Sequence, residues 1–103
     1  MRVKLEIWMG LGRELGEDFS SPSQLRSEMD VDVEEGMSVR ALFSRLADRY
    51  PPIRERIFNG QDGDFYPNIV MAFNDRVISH REAYDKILKD GDKIRVMPVH
   101  TGG

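Results

Sequence analysis

Val3, Leu5 and Ile7 alternate with Lys4, Glu6 and Trp8. A period of two puts the first set on one face and the second on the other, the pattern of a half-buried strand. Met9-Gly10-Leu11-Gly12 closes it. From Gly16 to Glu28 no period survives, and Ser20, Ser21, Pro22 and Ser23 mark a long loop. Alternation returns where Met29, Val31 and Val33 are separated by Asp30, Asp32 and Glu34, and it stops at Glu35-Gly36. Two strands so close in sequence pair most simply as an antiparallel hairpin with a long connection.

The period then changes to that of a helix. Ser38 suits the N-cap, and Val39, Leu42, Phe43, Leu46, Ala47 and Tyr50 share one face, with Arg40, Arg45, Asp48 and Arg49 opposite. Pro51-Pro52 stops this helix, because a residue before proline is driven out of the helical region. Ile53 to Phe58 allows one more short helical turn, and Asn59 to Pro67 reads as loop. Residues Asn68 to Phe73 form a continuous apolar run, as in a strand covered on both sides. Asn74-Asp75 turns the chain into a short strand, Val77 to Ser79. Residues 81 to 88 suggest a short helix carrying Ala83, Tyr84, Ile87 and Leu88. Asp90-Gly91-Asp92 is a turn, and Lys93 to Val99 is the last strand, with Ile94 and Val96 opposite Lys93 and Arg95.

One amphipathic helix must therefore cover one face of a mixed sheet of four to five strands. If the first and last strands are central and parallel, that helix covers a right-handed crossover. The expected fold class is α+β, a β-grasp or ubiquitin-like architecture. It forms a single domain over residues 1–99, with a flexible C-terminal Gly-Gly tail at 100–103.

Composition narrows the chemistry. The 103 residues include no cysteine, so disulfides, zinc ribbons and thiol nucleophiles are excluded. A net charge of −3 argues against nucleic acid as a partner, and no apolar run is long enough for a membrane span. With no export signal in MRVKLEIW, the expected location is the cytoplasm, and the expected free form is a monomer. His80 and His100 lie apart with no ligand spacing, so no metal site is expected. Gly10, Gly12 and Gly16 miss the dinucleotide spacing and lead into a hairpin rather than a βαβ unit. Asp62-Gly63-Asp64 lacks the downstream glutamate of a calcium loop and reads as a solvated turn. Asp30, Asp32, Glu34 and Glu35 suit a charged, soluble sheet edge better than an acid–base pair.

The C-terminus is different. A Gly-Gly end arises by chance in about one chain in 200. Here it leaves a core strand through Pro98, with only Val99 to Thr101 between. Glycine has no Cβ, so such a tail can enter a channel closed to other residues. The stretch Val96-Met97-Pro98-Val99-His100-Thr101-Gly102-Gly103 resembles the ending of the ubiquitin-like sulfur carriers of the ThiS/MoaD family, which include the small subunit of molybdopterin synthase. Leu88-Lys89-Asp90-Gly91-Asp92-Lys93-Ile94 is similar to that family's entry into the last strand, and Phe73-Asn74-Asp75-Arg76-Val77 to its hairpin. Arg13-Glu14 resembles its loop after the first strand. Val99 stands where the family usually has a second proline, and the loop from Glu17 to Glu28 is longer than usual.

The resemblance implies a protein cosubstrate rather than an enzyme, or the small subunit of a heteromeric sulfur-transferring synthase. It implies that a ubiquitin-activating-type adenylyltransferase spends ATP to adenylate Gly103, with Gly102 giving the tail its clearance. The product is a C-terminal thiocarboxylate, whose sulfur passes to a downstream synthase large subunit or another sulfur acceptor. Molybdopterin-type synthesis is the first expectation. No cofactor would be bound permanently. Alternation puts Trp8, Met97 and Val99 on the face away from the helix. With Val77, Pro98 and Thr101 they make up the expected partner surface, unless the long loop folds over it. Two other readings stay open: a modifier conjugated through Gly103, and a non-catalytic β-grasp binding module.

Overall fold

The computed structural model describes residues 1–22 and 25–99. The elements run β1 (Arg2–Ile7), α1 (Gly12–Leu15), β2 (Ser27–Asp32), α2 (Val39–Arg49), α3 (Pro51–Arg56), β3 (Phe58–Asn59), β4 (Asp64–Phe65), β5 (Ile69–Phe73), β6 (Arg76–Ile78), α4 (His80–Asp85) and β7 (Lys93–Pro98). Five strands form one sheet in the order β2-β1-β7-β5-β6. β1 and β2 are the antiparallel hairpin that their alternation predicts, and β1 lies parallel to β7. β5 is antiparallel to both β6 and β7. This mixed sheet, crossed on one face by the main helix, is the β-grasp architecture.

The core lies between the sheet and α2. Val3, Leu5 and Ile7 from β1 and Ile94 and Val96 from β7 meet Val39, Leu42, Phe43, Leu46 and Ala47, all buried. Ser38 caps α2 by accepting the Ala41 N–H on its hydroxyl (3.1 Å). The two prolines do end α2, since Tyr50 is extended (φ −119°, ψ 102°), but they also open α3. Proline suits a first helical turn, whose N–H groups have no partner within the helix.

Four stretches differ from the sequence expectation. α1 occupies part of what reads as strand end, and its last residue, Leu15, is buried. The long loop is tied down: Phe19 is buried edge-on to Tyr50, and the Asp18 carboxylate accepts bonds from the Tyr50 hydroxyl (2.7 Å) and Arg49 (2.9 Å). Ser20 bridges to Glu28, and β2 starts at Ser27, two residues before the alternation shows. Asn59 to Pro67 is not all loop, because Phe58–Asn59 and Asp64–Phe65 pair as a small hairpin. α4 is shorter than residues 81 to 88. Lys86 to Leu88 leaves it to pair with the chain entering α2, through Val39 N–H to Lys86 O and Leu88 N–H to Met37 O (both 2.9 Å). Ile87 is exposed as a result.

Among the described residues no helix is long and apolar enough to cross a membrane.

Candidate functional site

β7 is the middle strand of the sheet, hydrogen-bonded on both sides, and it carries the chain towards the C-terminus. Its start is clipped by the Asp90-Gly91-Asp92 turn. Asp90 Oδ1 accepts the Arg2 N–H (2.8 Å), and Asp92 Oδ2 accepts the Lys89 N–H (2.7 Å). Gly91 takes φ +85°, a conformation that favours glycine. Asn74, in the β5–β6 turn, accepts the Lys93 N–H (2.8 Å) and donates to Asp92 Oδ1 (3.0 Å). These family-like motifs thus hold the end of β7 away from the tail. At the other end, Pro98 pairs with Ile69 and the Val99 N–H donates to Asn68 O (2.7 Å). His100, Thr101, Gly102 and Gly103 lie outside the described residues, as does the expected flexible tail.

The face of the sheet away from α2 is built in rows by the strand registers. One row runs Val77, Ala72, Arg95, Glu6 and Glu28 across five strands. The next row, nearer the tail, holds Val70 and Met97, with Trp8 following Ile7 beside them. The registers place Met97, and Trp8 beside it, on the face away from α2, as the alternation predicts. Val77 is 65% exposed, Val99 43%, and Met97 is half-buried. Pro98 falls on the helix side by the same alternation and is half-buried. The described part of the long loop does not cover Val77 or Val99, whose exposure is high.

Between the apolar residues lies a chain of charges. Lys93 pairs with Asp75 (2.8 Å), Asp75 with Arg95 (3.7 Å), Arg95 with Glu6 (3.3 Å) and Glu6 with Arg26 (3.8 Å). Arg26 continues to Glu28 (3.3 Å), and Glu28 to Lys4 (3.7 Å). Lys93 and Arg95 hold the exposed Asp75 carboxyl below its usual range, Lys93 contributing first through its hydrogen bond. Arg26 and Arg95 each stand 5.3 Å from the centre of the Trp8 ring. Glu6, Arg26 and Arg95 were not singled out in the sequence. Their only signal was that Glu6 and Arg95 occupy the polar positions of two apolar-alternating strands.

A β-grasp sheet with one open, partly apolar face beside a C-terminal strand defines a ubiquitin-like protein. The ThiS family model matches residues 19–103, and the chain belongs to that family. It is a ubiquitin-like sulfur carrier, a class of small protein that serves other enzymes as substrate rather than acting as catalyst. Among solved structures it is similar to SAMP1 from Haloferax volcanii, at 20% identity over 100% of both chains with a TM-score of 0.71. Urm1 from Trypanosoma brucei is 14% identical, over 99% of this chain and 95% of that one, with a TM-score of 0.71. The proposed molybdopterin converting factor, subunit 1, from Pyrococcus furiosus is 26% identical, over 97% of this chain and 99% of that one, with a TM-score of 0.63. No curated protein sequence matches the chain.

Proposed function

We propose that this chain carries sulfur as a thiocarboxylate on Gly103. A carboxylate is a poor electrophile until one oxygen becomes a leaving group. A ubiquitin-activating-type adenylyltransferase supplies that step: a Gly103 oxygen attacks the α-phosphorus of ATP, and pyrophosphate departs. A persulfide sulfur then attacks the acyl carbon and AMP leaves. A thiol reduces the resulting acyl disulfide, releasing the thiocarboxylate. The chain contributes no base and no metal, and ATP is the partner's substrate. The acceptor is a synthase large subunit of the molybdopterin type, the reading favoured by the likeness to the Pyrococcus furiosus protein. The chemistry belongs in the cytoplasm, where ATP and reduced thiols are available.

The observation that carries this reading is the family match continuing through to Gly103. In support, β7 is anchored on both sides as far as Pro98, giving the tail a rigid base. We assign docking of both partners to Met97, Val77, Trp8 and Val99 on the open face, with Pro98, which lies on the helix side, ending the strand from which Thr101 leads to Gly102 and Gly103. Conjugation to protein lysines is a second reading, favoured by the likeness to the small archaeal modifier proteins.

Incubation with the activating enzyme, ATP and a persulfide donor should give a product whose mass corresponds to sulfur in place of one oxygen. Larger covalent adducts would indicate conjugation instead. Deleting Gly103, or changing Gly102→Tyr, should abolish adenylation with the fold intact. Normal adenylation of either variant would sink the proposal.

A further inference from the structure

Glu6 is a charged residue on the open face, yet it is only 4% exposed. A carboxylate taken out of water is costly unless paired, and this one is paired twice. Its Oε2 meets Arg95 from β7 (3.3 Å), and its Oε1 meets Arg26 from the chain entering β2 (3.8 Å). Both guanidiniums also lie over the Trp8 ring, two residues further along the same face of β1. Cations over an indole are attracted by its ring, most strongly where water is displaced.

The arrangement is not the cheapest way to cover a sheet. Among the described residues, neither the Trp8 indole N–H nor the Arg95 Nε–H has a hydrogen-bond partner, so hydrogen bonding within them does not fix the indole. What it achieves is placement. Trp8 stands beside Met97 in the row nearest the tail, and large aromatic side chains held rigid at an interface centre are the usual anchors of binding. An indole fixed in the free protein loses little freedom on docking.

We infer that Glu6 is a positioning residue for partner docking. By holding Arg95 against Trp8, and sharing Arg26 with Glu28, it presets the indole as the anchor on which the adenylating enzyme seats. This rests on the function proposed above, with that enzyme as the occupant of the face.

Trp8 is the single tryptophan, so its fluorescence reports the cluster directly. In Glu6→Gln, which keeps the side-chain shape but removes the charge, Trp8 emission should shift and acrylamide quenching should increase in the free protein. In ATP–pyrophosphate exchange with the purified activating enzyme, KM for the carrier should rise about tenfold with kcat unchanged, the effect of disturbing one anchor. Arg95→Lys keeps the charge opposite Glu6 but loses the planar guanidinium. It should move both readouts in the same direction by less, and it decides the matter if Glu6→Gln does not fold. Unchanged Trp8 quenching in a folded variant, or changed quenching with an unchanged KM, overturns the inference. A native chain that supports no exchange at all would refute the proposed function and the docking role with it. The fluorescence arm would still report whether Glu6 holds Trp8.

Discussion

The two faces of this sheet solve opposite problems with the same strands. Towards α2, β1 and β7 present Val3, Leu5, Ile7, Ile94 and Val96, all buried and all apolar. Away from it, the intervening positions present Lys4, Glu6, Trp8, Lys93, Arg95 and Met97, where charged and apolar side chains lie side by side. Burial on the first face is non-directional and sums over area, so it supplies stability. The second face gains little from the more exposed ion pairs at its margins, such as Lys4 with Glu28, which in water contribute about 0–1 kcal/mol each, while the buried Glu6 needs its partners to offset desolvation. Its value lies in what can be recognised there. One residue of strand register separates the two roles.

The comparison predicts a clean division between stability and binding. The largest stability loss should come from Phe43→Ala, which removes a fully buried ring touching Phe65 (5.0 Å) from the α2 side. A cost of about 3–5 kcal/mol is expected in denaturant unfolding, with affinity per folded molecule unchanged. Met97→Ala should do the reverse, weakening the activating enzyme's grip about tenfold in a binding titration while barely moving the unfolding midpoint. A Met97→Ala protein that unfolds would mean that this side chain belongs to the core. Ser38→Ala removes the α2 cap and should cost about 1 kcal/mol, measured by thermal unfolding, with no effect on docking.

The smallest effect concerns two exposed aspartates, one near each face. Asp18 is held below the ordinary value of 3.8 by the Tyr50 hydroxyl first and then by Arg49, and Asp75 by Lys93 and then Arg95. A carboxylate lowered by folding stabilises the native state fully above its unfolded value, and that contribution fades as pH falls through the lower folded value. Melting temperature should therefore decline below pH 3.8, and Asp18→Asn should flatten part of that decline. Asp18→Asn should also loosen the loop that Phe19 anchors, seen as faster amide exchange, without touching Trp8 quenching.

Local patterns were legible wherever one element's own period decided the outcome. The α2 stripe and its Ser38 cap, the alternation of β1, and the apolar run of β5 all emerged in place. The Asn74-Asp75 turn did too, with φ of 51° and 69° at residues whose side chains tolerate that region. Phe19 was illegible because a lone aromatic in a serine-rich stretch has no period, and its place is made by residues distant in sequence such as Tyr50, thirty-one positions away. α4 was overestimated for a related reason. Ile87 and Leu88 continue the helical spacing, but backbone pairing with Met37 and Val39 outweighs that weak local preference.

By itself, then, the sequence determined which residues of β1, α2 and β7 face the core, where those longer elements begin and end to within a turn, and, through the motifs around β7, the ThiS-type ending. Those are properties of neighbours along the chain, set by side-chain direction and backbone preference. Only the tertiary structure decided that Glu6 meets Arg95, eighty-nine positions away, and Arg26 from the opposite side. The parallel register of β1 against β7 leaves no mark in either strand alone. Shifting one strand by two residues keeps the same face inward and satisfies the same alternation, but it would separate the two arginines from Trp8. The surplus contacts of the whole sheet select between such registers, and with them the composition of the open face.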